Sequence, residues 1–439
     1  MSFNGFTVAS EVEIRPACHP DGVSDNTAAL QAAIDQAAAV GNESCQGVVL
    51  LEPGVWRSGP LEMKSYVTLR FSAQTTLKAL PEKDFVAAYI GAPSQPHEAL
   101  IHAHGVTRCA IEGPEGLGEP SAVIDDTGEH WWPAAIEARG WLKNGEVERF
   151  TQAFPGIVTA NGMPRPWLIE LSWCSQVKMS GIKLTQSPMW TLVVRNSNEV
   201  LLEGLWVINP EYAPNTDGID LVSSRDVTVR GCYVDTGDDN IAIKSGIKQD
   251  GAPRCEDVFI SECSFGQGHG LSIGSETANG IGAINIANVV FKGTGTGIRI
   301  KSARDRGNRI GPMHARDITM QDVETAILLT CSYAGQSGVG DAVMDSLVAP
   351  LEAATPSATT PYIKDITIEN LKARNVKYGV VLSGLPEAKL EQLTLKHLEV
   401  ESQYGLAARY VQGAFCDCKI SAKLGAPLRF GPECAIAQD

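Results

Sequence analysis

An eight-residue hydrophobic rhythm recurs along much of this chain, and it restricts the possible folds more than any other feature. It reads "VKMSGIKL" from Val177, "VLLEGLWV" from Val200, "VTVRGCYV" from Val227 and "VFISECSF" from Val258. It continues with "INIANVVF" from Ile284, "ITMQDVET" from Ile318, "ITIENLKA" from Ile366 and "LTLKHLEV" from Leu393. Apolar residues occupy the first, third and sixth places, with Cys232 and Cys263 among the sixth-place anchors. Alternation at period two means strands. Successive starts lie 23, 27, 31, 26, 34, 48 and 27 residues apart. That spacing, without a helical pattern, predicts a solenoid of stacked coils. A propeller blade would need four strands in about 40 residues, and a leucine-rich repeat a fixed Leu/Asn consensus. The expected fold is all-β, a parallel β-helix in which each strand bonds to its equivalent one coil on.

A stack of coils needs a cap at its open end. "DGVSDNTAALQAAIDQAAAV" provides one: Asp25/Asn26 as N-cap, then an amphipathic helix with Leu30, Ala33 and Ile34 inward. The expected organisation is a single domain over residues 1–439, with strand and capping helix over about 1–45 and coils over 46–430. Insertions near 125–165 and 331–361 break the period and are expected as loops on one face.

Composition narrows the function. A formal charge of −15 over 439 residues argues against nucleic acid, and no run of 18 or more apolar residues calls for a membrane span. The start "MSFNGFTVASEVEIRPACHP" has neither a basic n-region nor an apolar h-region, so a cytoplasmic protein is expected, or a periplasmic or secreted one if a leader was removed. The eleven cysteines contain no CxxC pair. Several fall at core positions and read as small apolar side chains. Cys416, Cys418 and Cys434 have no histidine nearby and make a poor metal knot.

A second strand per coil aligns through Ile219, Ile241, Leu271 and Ile298. In that register Asp217, Asp239 and His269 occupy the same place on three consecutive coils, roughly 4.8 Å apart. Arg299 and Lys301 alternate with Ile298 and Ile300 and so face outward. Lys244, with Arg304, Arg306 and Arg309, extends a basic rim, and Trp190 falls one coil before Asp217 at the same height. With Asp238 next to Asp239, three carboxylates crowd one place, and one of them should keep its proton near neutral pH. An acid beside ionised bases suits glycoside hydrolysis, and a separation near 9 Å would be the inverting geometry. Taken singly, "NTDG" reads as a turn opened by Asn215, "GDDN" as a turn or Ca²⁺ site, "GHG" as a tight turn and "RIK" as a solvated strand face. Their convergence on one patch favours a catalytic reading.

"NTDGID", "TGDDNIAIKSG", "GHGLSIGSE" and "GIRIKS", in this order, resemble the signatures of glycoside hydrolase family 28, the polygalacturonases and their pectin-degrading relatives. "DGVSDNTAALQAAID" and "LEPGVWRSGPLEMKS" resemble the family's opening, so the likeness covers roughly residues 15–400. The resemblance implies a right-handed parallel β-helix, with Asp238 as general acid and Asp217 and Asp239 handling the water. It also implies that His269 supports the acid, that Arg299 and Lys301 hold a galacturonate carboxylate, and that no metal or organic cofactor is used. Asn215, Lys244 and Trp190 are expected among the substrate contacts. Asn240 departs from the pattern, because many members have cysteine there. The expected substrate is polygalacturonate or its oligomers, cut at α-1,4 bonds from chain ends. Endo-action, a Ca²⁺-dependent pectate lyase and a carbohydrate-binding or adhesin module are the rivals.

Overall fold

In the computed structural model the described residues are 5–81, 83–116, 118–157, 159, 162–333 and 348–438. They fall into two compact units. The first comprises residues 1–220, 226–228 and 232–238, and the second residues 221–225, 229–231 and 239–439. Both are built of parallel coils, as the repeat predicts, and the fold is a right-handed parallel β-helix.

In the first unit the coil at residues 167–185 has three strands: Trp167–Ser172, Ser175–Ser180 and Lys183–Thr185. Each bonds to its own equivalents one coil back and one coil on. Ile169 lies between Ile101 and Leu192, Val177 between Cys109 and Val200, and Leu184 between Ile124 and Val207. All nine of these side chains are fully buried, and β-branched and aliphatic residues fit such pleated stacks. Corners turn at left-handed residues that recur coil by coil, Trp173 then Asn196 and Gln176 then Glu199.

The capping helix α1 spans Thr27–Val40 and buries Leu30, Ala33, Ile34 and Ala37. Asn26 occupies the N-cap, yet its side chain makes no cap bond. Asp25 Oδ1 instead accepts from the Thr27 amide at 3.0 Å. Helix and first coil touch closely, since a Cβ on Gly47 would sit 2.1 Å from the Ala37 carbonyl oxygen. A side chain there would lift the cap off the coil.

The second unit carries one aliphatic stack through six coils: Ile241, Leu271, Ile298, Ile327, Val380 and Leu406. Every member is fully buried. The register differs from the sequence reading at one coil. Ile284 pairs with Met313 and Val289 with Ile318, while Met313 pairs with Ile366 and Ile318 with Leu371. The coil therefore starts at Met313, and Ile318 is its sixth-place anchor. "MHARDITM" and "ITMQDVET" both satisfy the first-third-sixth rule, so periodicity alone could not separate them.

The insertion at 125–165 is helical rather than a plain loop. A 3₁₀ turn at Gly128–His130 leads into α2 (Trp132–Lys143) and α3 (Val147–Ala153). Pro133 stands in the first turn of α2, where proline is tolerated. The 331–361 insertion lies partly outside the described residues, at 334–347. Coils continue past residue 430, because Cys434–Gln438 pairs with Val411–Cys416. Cys109, Cys174, Cys232, Cys255, Cys263 and Cys331 are buried as core residues. Burial pushes the Cys174 thiol up to about 11 and that of Cys255 to about 12, which leaves them unreactive packing groups.

Candidate active site

The first unit positions Asn215, Asp217 and Asp238 on two successive turns. Asn215 takes a left-handed φ of 57°, which bends the chain ahead of Asp217. The Thr191 amide donates to the Asp217 carbonyl at 2.8 Å, continuing the ladder from the coil that carries Trp190. The next turn, Thr236 to Asp238, sits directly on the Asp217 turn. The Thr236 hydroxyl donates to the Thr216 carbonyl, and the Gly237 amide donates to Thr216 Oγ1 at 3.1 Å. Gly237 makes this approach possible, because a Cβ would lie 2.4 Å from the Ala213 carbonyl oxygen. Asn209 ties the neighbouring turns, accepting from the Ser187 amide at 2.9 Å and donating to Thr191 Oγ1 at 3.0 Å. Asp217 and Asp238 are both buried, at 4% and 5% exposure.

Trp190 is 5% exposed and stacks on Trp167, with centroids 5.3 Å apart and planes 10° from parallel. Helix α2 is fixed beside the same turns. Trp132 Nε1 donates to the Ser187 carbonyl at 3.0 Å, and its ring meets Tyr212 edge-on at 5.7 Å. From this helix Arg139 Nη2 reaches Asn215 Oδ1 at 3.2 Å, and Arg165 Nη2 reaches the same oxygen at 3.3 Å.

The second unit gathers Asp239, His269, Arg299 and Lys301. Pairing of Ile241 with Leu271 puts Asp239 in line with His269, and pairing of Leu271 with Ile298 sets Ser272 beside Arg299 and Gly274 beside Lys301. Asp239 Oδ1 accepts from Ser272 Oγ at 2.9 Å and from Arg299 Nη2. Its Oδ2 accepts from Lys301 Nζ at 2.8 Å. Arg299 Nε donates to Ser272 Oγ at 2.9 Å, which closes the network. Two cations and a hydroxyl thus converge on one buried carboxylate through charge-assisted bonds. His269 Nδ1 lies 3.8 Å from Asp239 Oδ1, with its ring one-third exposed. Arg299 and Lys301 point out of the coil as expected, but only 5% and 6% of each is exposed. Lys244 ends the strand Ile241–Lys244 and is buried.

Ser272 escaped the sequence reading, which marked Asn240 only as a departure from the family pattern. Ser272 looked like any outward strand residue, and only the alignment of its coil with Arg299 marks it. Asn240 donates from Nδ2 to the Gln267 carbonyl and accepts from the Gly270 amide, both at 2.8 Å. It therefore clamps the turn that carries His269, a task cysteine could not perform with two such bonds. The donor set does not suit a divalent cation, because an ion at Asp239 would face an ammonium and a guanidinium already bound there.

A separate buried cluster occupies earlier coils of the first unit. Glu62, His102 and Glu170 align across three strands. His102 Nδ1 lies 2.7 Å from Glu62, and Nε2 lies 2.8 Å from Ser94 Oγ. Arg195 forms an ion pair with Glu170 at 2.6 Å and lies 3.9 Å from Glu98. Burial, then the charge of Glu170, pushes the Glu98 carboxyl up to about 7.

A profile for Glycosyl hydrolases family 28 matches residues 49–348, more than half of the chain. The sequence is 26% identical over 355 residues to an endo-polygalacturonase of Pectobacterium carotovorum subsp. carotovorum, covering 79% of this chain and 78% of that one. In fold the chain resembles a hyperthermoactive exopolygalacturonase from Thermotoga maritima, with a TM-score of 0.67 and 21% identity over 99% of this chain and 94% of that one. It also resembles a family 28 exopolygalacturonase of Yersinia enterocolitica, with a TM-score of 0.71 and 22% identity over 97% and 78%. With four motifs in order on a parallel β-helix and a family match over most of the coils, the chain belongs to glycoside hydrolase family 28, the polygalacturonase family.

Proposed function

We propose that this glycosidase hydrolyses α-1,4-galacturonosidic bonds with inversion, releasing galacturonate from chain ends. The observation that carries this reading is Asp239, paired with two cations and preceded in sequence by a second buried carboxyl residue, Asp238. Two adjacent carboxyl groups with unequal surroundings divide into acid and base. Asp238 gives its proton to the departing glycosidic oxygen as the C1–O bond breaks. Asp217 and Asp239 take a proton from the water whose oxygen forms the new bond to C1. Arg299 and Lys301 keep Asp239 charged, and their remaining N–H donors serve the sugar carboxylate.

Chain-end action is supported by α2 and α3, an insertion fixed by Trp132 against the Ser187 and Tyr212 turns. A wall there favours a substrate that terminates over an unbroken polymer running through. A reducing-sugar assay on digalacturonate and polygalacturonate, with chromatography of early products, tests the mode. Monomer from the first minutes is expected, and a spread of oligomers would overturn chain-end action. Proton NMR of the fresh product should show the β-anomer; a first-formed α-anomer would exclude inversion. Asp238→Asn should lower kcat by about 10²–10⁴, and near wild-type turnover would defeat the acid assignment.

A further inference from the structure

We propose that Arg139, backed by Arg165, forms a second carboxylate-binding subsite, which recognises an acidic sugar at the Asp217 turn. The proposal rests on the hydrolase reading above and adds a specificity determinant from the inserted helix.

Two guanidinium groups share one neutral acceptor, Asn215 Oδ1, at 3.2 and 3.3 Å. Arg165 is 1% exposed, bonds the Pro214 carbonyl at 2.9 Å, and its buried Nε has no partner. Neither arginine meets a carboxylate among the described residues. Elsewhere in the first unit the buried Arg195 is paired with Glu170. Like charges brought together on an amide oxygen repel, and burial makes the repulsion stronger. Burial, then the charge of Arg139, pulls the Arg165 guanidinium down to about 9.

Arg139 is half-buried, and among the described residues its one side-chain bond runs from Nη2 to Asn215, so its other donors can serve a ligand. A guanidinium fork matches a carboxylate in two-point geometry. Asn215 orients that fork and lies two residues before Asp217, so an anion held there belongs to a sugar residue at the reacting turn. The pair is distinct from Arg299 and Lys301, whose cations already serve Asp239.

The test is steady-state kinetics of Arg139→Gln and Arg139→Lys on digalacturonate and on its two mono-methyl esters. Arg139→Gln should raise KM about 10–100-fold, the scale of a lost charge-assisted bond, with kcat within about threefold of wild type. Arg139→Lys should recover part of the loss. Wild type should discriminate against both mono-esters, whereas Arg139→Gln should lose its discrimination against one only. Matching thermal melts for the two variants establish that both are folded. An unchanged KM, or an equal loss on all three substrates that lysine does not repair, overturns the subsite. A wild-type enzyme that releases no sugar from digalacturonate or polygalacturonate overturns the hydrolase reading itself.

Discussion

Replacing Glu98 by glutamine should flatten the pH dependence of stability. Glu98 is 1% exposed, its Oε2 accepts from the Gln95 amide at 3.0 Å, and it shares its surroundings with Glu170, Arg195 and His102. Its folded carboxyl titrates near 7, against 4.5 for the unfolded chain, so the folded state holds the proton more tightly. The resulting stability is complete below 4.5 and is lost as pH rises through 7. His102 acts in the same direction. Burial disfavours its charged form, but Glu62, Glu170 and Glu98 outweigh this and raise it above 6.5. Its contribution too is complete below 6.5 and fades on going alkaline. The move of Glu98 from 4.5 to about 7 is worth roughly 3 kcal/mol at most, and screening reduces it to about 1–3 kcal/mol. An unfolding entropy of about 2.1 cal/mol/K per residue, over 439 residues, converts this into a Tm difference of about 1–3 °C. Wild type and Glu98→Gln would be melted by scanning fluorimetry at half-unit steps from pH 5 to 8. The wild type should lose that much more than the variant over this range. Parallel curves would refute the argument, since they would mean that Glu98 ionises in the fold without cost.

Two further outcomes follow from the site. Ser272→Ala removes one donor from Asp239 and leaves Arg299 Nε without its acceptor, so kcat/KM on digalacturonate should fall about 10- to 100-fold; circular dichroism should stay that of the wild type. Gly237→Ala drives a methyl group into the Ala213 carbonyl and lifts the Asp238 turn off the Asp217 turn, so kcat should drop about 10²-fold, with a measurable fall in Tm as well.

Much of this molecule is legible in its sequence, for identifiable reasons. A strand that repeats its inward residues every coil fixes what stacks on what, so the alignment of Ile241 with Leu271 and Ile298 followed from alternation alone. The polar residues between those anchors came along with them, which is why Asp239, His269 and Arg299 were found on adjacent rungs. What failed was whatever the period does not encode. The coil at Met313 admits two overlapping apolar patterns, and only hydrogen bonding selects one. Helix α2 hides its face in small residues, Ala135 and Ala138, although Pro133 and their three-residue spacing were available signals. Asn240 looked like a harmless departure because its work lies in side-chain bonds to a turn thirty residues ahead. Arg139 and Arg165 gave no signal, since twenty-six positions separate them in the sequence and nothing but the folded chain brings both to Asn215.

The outward row interleaved with the aliphatic stack runs Ala242, Ser272, Arg299, Leu328, Val381, Ala407. Ser272 and Arg299 in it bind Asp239, whereas Leu328, Val381 and Ala407 are sealed with Tyr378 in a small oily cluster. One outward-pointing row therefore changes trade between one rung and the next while the scaffold behind it stays the same. New specificities could be written on such a strip one rung at a time, because the residues that react and the residues that hold the spiral together alternate along the same strands without sharing a position.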